Sequence, residues 1–155
     1  MKQNITEQIL NFGGITMARH LRIYMNNPTA GGVDGTEISS ENETLPLTLT
    51  LDASNAETKA AKVAVRTDDG FLVDGDTDIY FDGTNSAKWQ VAADSDYSDA
   101  DDALSLALWQ DTLTIAGVSA VNSVFWVKAG SSTTESPQND RTVDLIAQGL
   151  VIAAE

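Results

Sequence analysis

The chain has 155 residues, no cysteine, and 23 acidic against 9 basic side chains, for a formal net charge of −14. That length suits one domain and a core large enough to fold without staples, and the missing cysteine excludes disulfides, thiolate metal sites and cysteine catalysis together. The charge disfavours nucleic acid and anionic membrane as partners, because approach to phosphate raises the electrostatic energy.

The first sixteen residues read as an arm (residues 1–16) ahead of a domain spanning 17–155. Lys2 is not followed by an apolar core, so the arm does not read as a secretory leader. Asn4 followed by Glu7 fits a capping box, Ile5, Ile9 and Leu10 would share one helical face, and Gly13-Gly14 would end the helix. A helix of about eight residues is not stable alone in water. Its apolar side chains, with Phe12, are therefore expected to pack on the domain, on another copy or on a different protein.

Beyond the arm, period-two alternation dominates. Leu21, Ile23 and Met25 alternate with His20, Arg22 and Tyr24, and Leu45, Leu47, Leu49 and Leu51 with Pro46, Thr48 and Thr50. The same pattern recurs in Ala61-Val63-Val65, Ile79-Phe81, Trp89-Val91 and Leu113-Ile115. Each set predicts a strand with one apolar and one solvated face. Asn26-Asn27-Pro28, Gly31-Gly32, Asp34-Gly35, Asp69-Gly70, Asp74-Gly75, Asp82-Gly83 and Gly130-Ser131 punctuate the strands as turns. Short strands at this spacing predict an all-β, antiparallel sandwich or barrel.

Three segments depart from the pattern. Residues 102–111 fit both a strand, through Leu104, Leu106 and Leu108, and a helix face, through Ala103, Leu104, Ala107 and Leu108; the strand is the favoured reading. Residues 123–129 and 142–153 are apolar on both faces, which predicts central or doubly covered strands and suggests a partner on the second face. Residues 130–141 read as a long exposed hairpin loop.

The sequence offers little chemistry. His20 has no recognisable acid or nucleophile beside it, and no nucleophile elbow, zinc-protease or phosphate-loop motif occurs. Carboxylates on acidic turns are solvated, the wrong setting for a general acid, so no catalytic residue is assigned and the chain is not expected to be an enzyme. Asp74 to Asp78 and Asp94 to Asp102 alternate in a way that could supply oxygen ligands to calcium, yet neither is an EF-hand loop. They are read as solvated loops, with no cofactor and no metal ligand. Trp109 falls out of phase with Leu104, Leu106 and Leu108; it is either partly buried or exposed, and an exposed tryptophan can stack on a sugar ring or anchor a protein interface. The candidate interface residues are Ile5, Ile9, Leu10, Phe12 and Trp109.

Two stretches carry a resemblance: Leu21-Arg22-Ile23-Tyr24-Met25-Asn26-Asn27-Pro28-Thr29-Ala30-Gly31-Gly32-Val33-Asp34-Gly35-Thr36, and Asn122-Ser123-Val124-Phe125-Trp126-Val127-Lys128-Ala129. Over residues 18–155 the chain resembles the small accessory virion proteins of tailed bacteriophages and prophages. The resemblance implies an immunoglobulin-like sandwich mounted on a capsid or tail. It implies a homo-oligomer or a contact with other virion proteins, synthesis in the host cytoplasm and residence in the virion. It carries over no functional residue. The expected role is thus a structural or capsid-decoration protein, the alternative a carbohydrate- or cell-surface-binding adhesion module.

Overall fold

A computed structural model describes Met1, the backbone of residues 3–9, and residues 19–40 and 44–155. Among the described residues, ten strands, one α-helix and two short 3-10 turns make two five-stranded sheets packed face to face. The strands are β1 (Gln3–Ile9), β2 (Leu21–Met25), β3 (Thr36–Glu37), β4 (Thr58–Thr67), β5 (Phe71–Val73), β6 (Asp76–Gly83), β7 (Trp89–Ala93), β8 (Thr112–Ala116), β9 (Ser123–Gly130) and β10 (Val143–Ala153). The helix, α1, is Ala100–Leu106. One sheet runs β1-β10-β6-β8 with β5 also paired to β10; the other runs β3-β2-β4-β9-β7. All pairings are antiparallel except β1 with β10. The predicted all-β sandwich is therefore present.

The core is the set of inward positions that alternation picks out. Leu21, Ile23, Val63, Val65, Val91, Phe125 and Val127 from one sheet meet Val73, Ile79, Leu113, Leu145 and Val151 from the other. Met1, Ile38, Leu47 and Val118 close the ends. Each such aliphatic side chain, fully buried, contributes about 1.5–3 kcal/mol relative to exposure.

Several expectations are corrected. Residues 3–9 form a strand, not a helix: Gln3 to Ile9 pair in parallel register with Leu145 to Val151. An isolated short helix would have only its own few hydrogen bonds, whereas β10 offers a ready ladder along the whole segment. The remainder of the expected helix, with Leu10 and the Gly13-Gly14 stop, lies outside the described residues. In residues 45–51 Leu47 is buried and Thr48 and Thr50 exposed, but the segment forms no strand: Leu47 exchanges two backbone bonds with Met1, and among the described residues the pairing does not extend into a ladder. Residues 130–141 cross from β9 in one sheet to β10 in the other, so this loop joins sheets rather than closing a hairpin.

The segment at 102–111 is a helix followed by an extended link, not a strand. Asp99 caps it, accepting from the Asp102 backbone N–H at 2.9 Å. Asp101 and Asp102 stand in the first turn, where the helix dipole favours negative charge. Ala103 is its buried residue. α1 packs against β4 on the outer face of its sheet, where Ala64, Ala92 and Trp126 are buried. The apolar outer side of β9 is thus covered by this chain's own helix and loop rather than by the partner that the sequence pattern predicts.

Candidate interaction surface

Side chains that the sequence leaves unconnected are brought together on the outer face of the β2-β4-β9-β7 sheet. His20 has an acid partner after all: its Nδ1 lies 3.1 Å from Asp68 Oδ2, and its ring stacks on Phe71 at 3.6 Å. Arg22 donates through Nε to Asp68 and through Nη1 to Glu37. These bonds hold its guanidinium pKa above the ordinary value against the opposing effect of burial. Arg66 lies on the Tyr24 ring, 3.4 Å from its centroid. His20, Arg22 and Arg66 each find a partner within the chain, and together they clasp this end of the sheet.

The clasp is fastened by Asn122, a buried polar residue. Its Nδ2 donates to Thr29 O and to both the backbone and side-chain oxygens of Asp34, while its Oδ1 accepts from Arg66. Its backbone exchanges bonds with Gly31 and Gly32. The two stretches quoted for the family resemblance, 21–36 and 122–129, therefore meet at Asn122. Asp34 also accepts from the Thr29 backbone N–H and hydroxyl, both at 2.9 Å, and these bonds hold its carboxyl below the usual aspartate range. Asp140 is held low in the same way, first by the Thr142 hydroxyl and then by the Thr142 backbone N–H. Because both folded pKa values are depressed, the stability these groups lend is complete above the ordinary aspartate value of 3.8. It is lost as pH falls through the lower folded values. Carboxyl-carbon NMR should find Asp34 titrating below an unstructured aspartate; titration at or above the ordinary value would contradict the bonding described.

The acidic loops have structural employment. Asp78 accepts from Thr114 Oγ1, Asp94 from the Trp126 indole N–H, and Asp102 from Ser98. Among the described residues no three Asp, Glu or His side chains converge as a metal-ligand group. A cleft of about 550 Å³ opens at one end of the sandwich, between residues 46–51 and the 130–141 loop. Leu49, Leu51 and Trp89 line it, as does the Lys88–Glu135 ion pair, closed at 2.8 Å.

The candidate interface residues do not gather in one place. Ile5 and Ile9 stand opposite Ala147 and Val151 in the β1–β10 register, at the edge of one sheet. Leu10 and Phe12 lie outside the described residues. Trp109 is half-buried against the other sheet, with Lys128 Nζ 4.9 Å from its ring centroid. Burial holds the Lys128 pKa below its ordinary value. The Trp109 indole N–H is buried without a hydrogen-bond partner.

Sequence reasoning chose Trp109 but passed over its neighbours. Leu106 is 67% and Leu108 80% exposed, the two most exposed leucines among the described residues. The Leu104-Leu106-Leu108 alternation that suggested a buried strand face instead marks an apolar side wall. The signal was available in the cap: Asp99 with Asp102 starts a helix whose end at Leu106 leaves the next residues at the surface. Gln110, between this segment and β8, is bridged to Val91 of β7. No protein-family model, curated protein or solved structure matches this chain.

Proposed function

We propose that this chain is a non-enzymatic structural protein that acts by protein–protein assembly, as an accessory component of a phage capsid or tail. The observation that carries the reading is the side wall of Leu106, Leu108 and Trp109. Leu106 and Leu108, exposed next to the half-buried Trp109, are apolar area of the kind that a protein contact covers. The virion setting, and an immunoglobulin-like kinship for the sandwich, rest on the resemblance of residues 18–155. The tryptophans favour protein contact over sugar stacking: Trp126 is buried, Trp89 packs on Phe81, and Lys128 lies over Trp109.

Particles purified from cells carrying the gene should contain the chain in stoichiometric amount. A Leu106→Asp, Leu108→Asp double variant should fold with an unchanged melting curve yet be lost from the particles at least tenfold. Absence of the wild-type chain from particles would overturn the virion setting. Full retention of the double variant would remove the side wall as the contact.

A further inference from the structure

We infer that β8 is a dimerisation edge, at which two copies join their β1-β10-β6-β8 sheets into one through antiparallel β8–β8 pairing about a two-fold axis. This rests on the assembly reading and names the partner as a second copy of the chain.

Half of the backbone N–H and C=O groups of an edge strand point away from its sheet, a template for another strand. Natural edges are usually blunted by brevity, a charge, a proline, a bulge or a covering segment. The other sheet follows that rule. Its β3 edge is two residues long, and at its β7 edge Val91 exchanges two backbone bonds of 2.9 Å with Gln110. Among the described residues, β8 has none of these devices. Thr112-Leu113-Thr114-Ile115-Ala116 contains no charge and no proline, and it pairs with β6 over all five residues without a bulge.

The sequence of β8 is self-complementary in the sense a two-fold requires. With Thr114 on the axis, Thr114 faces Thr114, Leu113 faces Ile115, and Thr112 faces Ala116 of the second copy. Leu113 and Ile115 sit on the core side, while Thr112 and Thr114 are exposed, so polar meets polar or small and apolar meets apolar. Asp111, the acid next to the strand, would face Gly117, which has no side chain.

Charge also selects the occupant. On a chain of net charge −14, two copies repel each other over most approaches. An uncharged edge is where they can meet without opposing carboxylates directly. A strongly basic partner would gain more on the neighbouring face, where β6 and β10 carry Asp76, Asp78, Asp82 and Asp144.

The absence of cysteine makes a clean test. Cross-strand partners lie about 4.5–5.5 Å apart, within disulfide reach. Thr114→Cys should therefore oxidise to a covalent dimer. Thr112→Cys, whose copies would be four residues out of register and about 13 Å apart, should stay largely monomeric under the same oxidation. At least a tenfold excess of dimer for Thr114→Cys is expected. Equal yields at both positions, or no dimer at either, would overturn the pairing.

Should Thr114→Cys fold poorly, Thr114→Lys and Thr114→Glu provide a second route. Sedimentation should show each alone to be mainly monomeric and their mixture dimeric; a mixture no heavier than its parts would overturn the inference. Chain found in particles with no cross-link would leave the assembly reading and remove the edge pairing. Cross-linked dimer with no chain in particles would do the reverse.

Discussion

Trp126→Ala is expected to destabilise the fold by about 3–5 kcal/mol, in the range for removing a large buried aromatic side chain. Trp126 is only 3% exposed although it projects from the outer face of its sheet. Its indole N–H donates to Asp94 at 2.7 Å, Tyr97 meets its ring edge-on at 6.4 Å, and Lys62 lies 6.0 Å from its centroid. Lys62 in turn reaches Asp94 at 3.9 Å. The residue thus ties the acidic 94–99 loop, the cap of α1 and the sheet into a small second core. Trp126→Phe keeps most of the apolar area but leaves the largely buried Asp94 carboxylate without its strongest donor, so about 1–3 kcal/mol should be lost. Urea unfolding followed by circular dichroism would measure both. A loss below about 1 kcal/mol for Trp126→Ala would mean that this face is not a packed layer of the domain. The two-faced apolar pattern of β9 would then again require a partner.

The pattern of β9 shows where sequence reading succeeds and where it stops. Val124-Phe125-Trp126-Val127 announces burial on both sides, and both sides bear it out at Phe125, Trp126 and Val127. What alternation cannot say is whose atoms do the covering. The cover is encoded twenty to thirty residues earlier in Ser98-Asp99-Ala100-Asp101-Asp102, a cap whose acids also fit the spacing of calcium ligands. A carboxylate that accepts from a backbone N–H and one that awaits a cation look alike in sequence. Only the position of the following apolar residues separates them, and Leu104 and Leu108 fit both periods.

Residues 45–51 and 3–9 teach the complementary lesson. Leu47 is inward and Thr48 and Thr50 outward, as alternation demands, yet among the described residues its pairing with Met1 does not extend into a ladder. In residues 3–9 the reverse holds: a plausible local helix cap is overridden by a parallel ladder with β10, a contact about 140 residues away in sequence. Strand existence depends on a neighbour, and the neighbour is a tertiary fact. The interaction surface was half legible for the same reason. Trp109 stood out as a residue type, whereas Leu106 and Leu108 became conspicuous only once α1 ended and left them exposed. The unprotected edge of β8 needs the strand order, which no local pattern contains.

Gly83→Ala is the second substitution expected to act strongly, and it tests the strand order directly. Asp82-Gly83 reads as a turn in sequence, but Gly83 closes β6 and pairs with Val143, the first residue of β10. Its φ of +125° lies in the region open to glycine and strained for side chains. A β-carbon there would also run into the Thr142 carbonyl and crowd the Val143 Cα. The backbone strain alone costs about 1–3 kcal/mol, and the clash adds to it, because backbone atoms cannot swing aside as a side-chain tip can. Gly70→Ala supplies the control: its φ is +84°, so the strain is comparable, but nothing stands where its β-carbon would go. Thermal melts of the two variants should therefore separate, Gly83→Ala falling well below Gly70→Ala. Equal melting temperatures would mean that β6 and β10 do not meet at this register, and the central pairing of the sheet that ends in β8 would have to be redrawn.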